Sequence, residues 1–173
     1  MRSEWISDSD LESIVKLLSP CDKVLTRLLT ETGFRIDDVM HLRRWQLFRE
    51  QLTVKEMKTG KVRTVSISTE LIRQYRRAFS SVPRRGWMLS YAFPSLRGGG
   101  RAKMHRTTFW RHFVEAANRA GFKDRAFTPH SLRKVYAVRL RKASGLDAVQ
   151  KSLGHDHITT TMLYAFSDEL RST

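Results

Sequence analysis

Apolar residues recur along most of this chain at the three- and four-residue spacing that predicts amphipathic helices. Serine, threonine, aspartate and proline stand before several of these stretches, and glycine follows them, as is typical of helix starts and ends. Thr128 and Pro129, for example, suit the N-cap and the first turn of one helix. The predicted helices cover about 7–19, 22–33, 36–42, 69–80, 107–121, 129–140, 147–153 and 158–168.

The period changes to two in the first half of the chain. Residues 51–57 and 61–68 alternate between apolar and polar side chains, and Gly60 lies between them, which predicts a β-hairpin. A strand near 45–49 would complete the sheet. The pattern therefore predicts one domain over residues 1–173, mainly α with a small three-stranded antiparallel β-sheet (α+β).

Charge indicates the partner. The 173 residues include 32 Lys and Arg against 17 Asp and Glu, a formal net charge of +15. Such an excess favours double-stranded DNA, because binding cations to phosphates releases condensed counterions. No apolar run approaches the ~20 residues of a membrane span, and the N-terminus has no apolar signal core. We expect a soluble cytoplasmic protein, associated with the nucleoid.

Cys21 is the one cysteine of the sequence, which excludes an internal disulfide framework and a cysteine-based metal site. His155 and His157 have no further ligands at metal-binding spacing nearby. We therefore expect neither a metal ion nor a cofactor.

The stretch "FTPHSLRKVYA" combines a helix start with basic side chains. His130, Arg133 and Lys134 fall at i, i+3 and i+4, so they share one face of the first turns. The free N–H groups of a helix start favour anions in the same direction. The pattern fits a phosphate site, and it also fits a solvated basic face.

Two further basic positions precede it. Arg35 lies between a glycine and a helix start, where Asp38 could orient it by a bidentate pair; a surface pair with Asp37 or Asp38 is the simpler alternative. Lys58 and Lys61 flank the hairpin turn, where exposed lysines are common.

Tyr164 lies near the C-terminus. Its apolar neighbours are compatible with a tyrosine that is packed in the core as well as with a reactive one.

The ordered set of these motifs resembles the tyrosine recombinase (phage integrase) family. "TGFRIDD" is similar to the first-arginine motif of that family, and "MKTGKVRTVSI" resembles its lysine hairpin. "TPHSLRKVYA" resembles its His-x-x-Arg box, and "LGHDHITTTMLYAF" its terminal His-to-Tyr segment. The similarity runs from about residue 5 to residue 166. It implies the fold of a DNA breaking-rejoining enzyme catalytic domain.

The resemblance also implies a mechanism. Tyr164 would attack a DNA phosphodiester and form a 3′-phosphotyrosyl link with a free 5′-hydroxyl. Lys58 would protonate the leaving 5′-oxygen, and His130 and His155 would supply hydrogen bonds and proton transfers. A covalent intermediate conserves the energy of the phosphodiester, so neither ATP nor a metal ion is required.

The remaining assignments concern phosphate and DNA. Arg35 and Arg133 would bind the non-bridging oxygens, and Asp38 would support Arg35, although the family usually has Glu there. Basic residues of the hairpin, of the glycine-rich loop and of the His-x-x-Arg helix are expected to contact DNA: Lys61, Arg63, Arg97, Arg101, Lys103, Arg106 and Lys134.

The resemblance implies site-specific recombination or integration. A type IB topoisomerase-like or hairpin-resolving strand transferase would use the same residues, and a DNA-binding regulator with a relict site is a third possibility. From the resemblance we also expect that the family's N-terminal core-binding domain is absent from this chain. We expect a tetramer on DNA and a monomer when DNA is absent.

Overall fold

A computed structural model describes residues 3–80, 90–95, 102–153 and Phe166. The described chain is mainly helical with one antiparallel hairpin, which confirms the predicted fold class. In chain order the elements are α1 (Asp8–Lys16), α2 (Pro20–Thr32), α3 (Ile36–Met40), a 3₁₀ helix (Arg44–Phe48), β1 (Gln51–Lys55), β2 (Val62–Ser66), α4 (Thr69–Ala78), α5 (Arg106–Arg119) and α6 (Pro129–Leu153).

Serine hydroxyls begin three of the helices. Ser7, Ser19 and Ser68 each accept a hydrogen bond from the backbone N–H three residues later. Such a cap stabilises a helix by about 1 kcal/mol. Two helices begin earlier than the predicted ranges: α2 starts at Pro20 after its cap Ser19, and α5 starts at Arg106 after its cap His105.

The hairpin is confirmed, but the predicted third strand is not. β1 and β2 pair antiparallel with Val54 opposite Arg63, and they form a two-stranded sheet. The segment predicted as a strand near 45–49 belongs instead to the 3₁₀ helix. Its buried Arg44 donates to the carbonyl of Phe79, which fixes this turn against the end of α4.

Helix α6 is long and interrupted. Gly145 has φ 80° and ψ −179°, a conformation outside the helical region, so two helical stretches meet there. The separate predictions of a helix over 129–140 and another over 147–153 are consistent with this break. The second stretch ends at Leu153, and both ends of α6 therefore carry motifs singled out in the sequence.

The core brings the motif-bearing segments together. α2 packs against both α4 and α6 through a buried apolar cluster that includes Leu25, Leu28 and Leu132. Its C-terminus leads directly into Arg35, beside the start of α6. Measured against the length and apolarity that a membrane-spanning helix needs, every helix in the described ranges falls short.

Candidate active site

Arg35 stands immediately before α3, at its N-cap position. Its Nη1 donates to Oε2 of Glu56 at 2.5 Å, and the two side chains are 16% and 4% exposed. Asp38 is not the partner, contrary to the sequence prediction. Its Oδ1 accepts instead from the backbone N–H of Met57 at 2.9 Å, because the first turn of α3 faces the hairpin.

Lys58 lies in the turn after β1, with its side chain exposed. The turn is closed by the N–H of Gly60, which donates to the carbonyl of Glu56 at 2.8 Å. The N–H of Glu56 in turn donates to the carbonyl of Lys61 at 2.9 Å. Gly60 adopts φ 68°, which favours glycine in this turn. The backbone around Lys58 is therefore fixed, while its ammonium faces solvent.

The start of α6 is built as the sequence predicts. Thr128 Oγ1 accepts from the N–H of His130 at 3.2 Å, and the N–H of Thr128 donates to Oγ of Ser131 at 3.0 Å. His130 is exposed, whereas Arg133 is buried. The Arg133 guanidinium donates from Nη1 to the carbonyl of Gly33 and from Nη2 to the carbonyl of Leu153.

The electrostatic environment of this site is strongly positive. Burial, followed by repulsion from Arg35 and Arg63, lowers the pKa of Arg133 to about 10. Arg133 therefore remains charged at neutral pH. Partial loss of hydration, and then the charges of Arg133 and Arg35, lower the pKa of His130 below its ordinary value. Guanidinium groups that repel one another in this way favour an anion between or beside them.

Glu56 offsets part of this charge. Its burial alone would raise its pKa, but hydrogen bonds from Arg35 and Thr59 outweigh that effect and hold the pKa below its usual range. Glu56 is not among the site residues predicted from the sequence. The sequence feature that could have indicated it is the alternation of β1, which places a glutamate directly after the strand on its inward side. An unpaired carboxylate there would be unfavourable.

Arg63 is half-buried on the inner face of the hairpin. Its Nη1 and Nη2 donate to the carbonyls of Ser152 and Thr32, each at 2.5 Å. Its guanidinium also stacks 4.1 Å from the centre of the Phe34 ring. In this position Arg63 joins β2 to the end of α2 and the end of α6, and it does not present its charge at the surface as the DNA-contact prediction requires.

The other basic residues predicted to contact DNA differ in position. Lys61 is exposed beside the hairpin turn. Arg106 is 57% exposed and pairs with Asp37 at 2.8 Å, and Lys103 lies against the His41 ring. Lys134 is 1% exposed and donates to the carbonyl of Ser3, so its ammonium group makes its contact within the protein.

Four of the predicted site residues lie outside the described residues. They are Arg97, Arg101, His155 and Tyr164. The described residues thus bring together Arg35, His130, Arg133 and the Lys58 turn. Across those same residues, no group of three or more histidine, cysteine or acidic side chains is arranged to hold a metal ion.

The comparisons with known proteins agree on one family. The phage integrase family model matches residues 4–171. The tyrosine recombinase XerD of Proteus mirabilis is 30% identical over 172 residues, covering 92% of this chain and 53% of that protein. XerD of Rhizobium meliloti is 33% identical over 143 residues, covering 81% of this chain and 45% of that protein.

Solved structures show the same fold. XerA recombinase matches with a TM-score of 0.74 at 22% identity, covering 95% of this chain and 59% of that one. The lambda integrase catalytic core matches with a TM-score of 0.70 at 22% identity, covering 89% and 96%. This chain spans about half the length of the XerD relatives it matches. With 168 of its 173 residues matched by the family model, the chain belongs to the phage integrase family.

Proposed function

We propose that this chain carries the catalytic chemistry of a tyrosine-type site-specific recombinase, which cuts and rejoins DNA strands without ATP or a metal ion. One observation carries the proposal: Arg133 is anchored on Gly33, two residues before Arg35, and Arg35 is ion-paired to Glu56 at the base of the Lys58 turn. The order of these residues along the chain resembles the motif order of the family to which the chain belongs.

In the proposed first step, the Tyr164 phenol attacks a DNA phosphorus atom. A bond forms between phosphorus and the phenolic oxygen, and the bond from phosphorus to the 5′-oxygen breaks. The phenolic proton passes to His130 or His155, and Lys58 gives a proton to the departing 5′-oxygen. Attack by a 5′-hydroxyl on the phosphotyrosyl bond reverses these transfers and reseals a strand.

Arg35 and Arg133 serve this step electrostatically. Negative charge is spread over the non-bridging oxygens of the phosphoryl group in the transition state. Cations that are already fixed stabilise this charge without reorganising at the moment of reaction. The backbone carbonyls that accept from Arg133 supply this preorganisation, since they hold its guanidinium before DNA arrives.

The names of the structural neighbours support double-stranded DNA as the partner and an assembly on it. They include a lambda integrase dimer bound to a COC′ core site and a lambda integrase tetramer bound to a Holliday junction. By analogy we propose that this chain binds DNA as part of a tetramer, is a monomer without DNA, and works in the cytoplasm at the nucleoid. Its net charge of +15 favours the DNA-bound state.

Covalent trapping tests this proposal. The protein is incubated with duplex DNA carrying a nick close to the cleavage position, so that a short 5′-hydroxyl fragment diffuses away and resealing is prevented. We expect a protein–DNA adduct on a denaturing gel, with the protein on a 3′-phosphate. Binding without any adduct, over a randomised pool of duplex sequences, would contradict the proposal.

A further inference from the structure

A single carboxylate links the first candidate arginine to the lysine turn. Oε2 of Glu56 accepts from Nη1 of Arg35 at 2.5 Å and from Oγ1 of Thr59 at 2.9 Å. Oγ1 of Thr59 also accepts from the N–H of Lys61 at 3.3 Å. Glu56 and Thr59 flank Lys58 in the sequence. The Glu56 carboxylate is therefore hydrogen-bonded to the turn that carries Lys58.

A second carboxylate, that of Asp38, also connects the start of α3 to the Lys58 turn. Asp38, three residues after Arg35, accepts from the N–H of Met57, the residue before Lys58. Glu56 and Asp38 are 3% and 2% exposed. Within the described residues the start of α3 and the Lys58 turn are therefore joined by two buried carboxylate contacts, and an ion pair forms one of them.

We propose that Glu56 is a positioning residue, which sets the Lys58 turn against Arg35 so that ammonium and guanidinium act on the same phosphate. This inference rests on the proposed function. Glu56 engages one nitrogen of the Arg35 guanidinium, and a guanidinium carries five N–H groups. The remaining N–H groups can bind a non-bridging oxygen while the ion pair between Arg35 and Glu56 stays in place.

The charge balance supports the same role. Arg35, Arg63 and Arg133 repel one another, and Glu56 attracts all three. Without the charge of Glu56, the Lys58 turn would lose the ion pair that holds it against Arg35. Glu56 touches neither DNA nor the reacting atoms in this proposal, and it acts through Arg35 and the turn.

Changing the leaving group tests the role of Glu56. In DNA with sulfur in place of the bridging 5′-oxygen, the bond that breaks joins phosphorus to sulfur, and a thiolate departs without needing a proton. A defect that arises from a misplaced Lys58 should therefore disappear on the sulfur substrate. A general loss of folded protein would slow both substrates equally.

We expect Glu56→Gln to slow adduct formation on the oxygen substrate by about 10- to 100-fold, the size of effect that small misplacement produces. On the sulfur substrate its rate should return to within about threefold of the unaltered protein, as should that of Lys58→Ala. Glu50→Gln is the matched control, since it makes the same change at an exposed position before β1. It should leave both rates unchanged.

The outcomes separate the two proposals. If sulfur restores Lys58→Ala but not Glu56→Gln, or if Glu56→Gln slows neither substrate, the positioning role is wrong and the proposed function stands. If the unaltered protein forms no adduct, or if sulfur does not restore Lys58→Ala, the proposed chemistry fails and the positioning role fails with it.

A measurement without DNA tests whether Glu56 fixes the Lys58 turn. In Glu56→Gln, hydrogen exchange of the Met57, Gly60 and Lys61 amides should accelerate by about tenfold or more, because the turn loses the ion pair that holds it against Arg35. Amides within α2 should keep their rates. Unchanged exchange in the turn would overturn the positioning role whatever the DNA experiment gives.

Discussion

The Arg133 guanidinium donates a hydrogen bond to the carbonyl of Gly33, one hundred residues earlier in the chain. A second nitrogen of Arg133 donates to the carbonyl of Leu153 at 3.3 Å. Gly33 is the C-cap of α2 and Leu153 is the last residue of α6, so both carbonyls lie at helix ends, where backbone oxygens lack intrahelical partners and cations are favoured. Arg133 thus orients itself on two helix ends and fixes the loop that leads into Arg35.

Gly33 itself is predicted to tolerate no side chain. Its φ is 62°, and a Cβ there would lie 2.2 Å from the Tyr136 ring. We expect Gly33→Ala to lower the free energy of unfolding by roughly 2–4 kcal/mol, from backbone strain and the clash together. Urea denaturation measures this change.

The clash can be separated from the strain. In Tyr136→Ala, the added Gly33→Ala should cost about 1 kcal/mol less than in the unaltered protein, because only the strain remains. Equal costs in both backgrounds would contradict the contact. No loss of stability in Gly33→Ala alone would contradict both causes.

Arg63 is predicted to stabilise the fold without binding a phosphate. Arg63→Met leaves the carbonyls of Thr32 and Ser152 without this donor, so the free energy of unfolding should fall by about 2–4 kcal/mol. The slope of log DNA affinity against log salt should stay unchanged, whereas exposed Lys61→Met should reduce it by about one unit. A reduced slope in Arg63→Met would place this arginine on DNA instead.

The sequence predicts the helices and the hairpin because each depends on neighbouring residues: apolar periodicity, serine caps and a glycine turn. The role of Arg63 could not be predicted in this way. An arginine in a strand suggests an exposed face, and its two carbonyl partners lie 31 and 89 residues away. Glu56 was missed for the same reason, since Arg35 is 21 residues distant.

The pH dependence of stability should report the Glu56 ion pair. Because folding lowers the pKa of Glu56 below its ordinary value of 4.5, its contribution is complete above that pH. The contribution is lost as the pH falls through the folded value. We expect the free energy of unfolding of Glu56→Gln to depend less on pH below about 5 than that of the unaltered protein or of Glu50→Gln. Parallel curves for all three proteins would contradict the ion pair.

His130 should titrate below its ordinary value of 6.5 in the DNA-free protein. The unfolded chain then binds a proton at a higher pH than the folded protein, so stability should decline as the pH falls from about 6.5 to the folded value. Nuclear magnetic resonance of the histidine ring protons measures the midpoint, and His130→Asn identifies the signal. A midpoint at or above 6.5 would contradict the partial burial of His130 and its repulsion by Arg133 and Arg35.

The most direct test of the central claim is the chemical identity of the covalent bond to DNA. The unaltered protein, Tyr164→Phe and a matched control, Tyr91→Phe, are each incubated with the nicked duplex, and any adduct is digested for peptide mass spectrometry. We expect the unaltered protein and Tyr91→Phe to carry a 3′-phosphonucleotide on the peptide containing Tyr164, and Tyr164→Phe to bind DNA without forming an adduct. An adduct that persists in Tyr164→Phe, or that maps to another residue, would contradict the account.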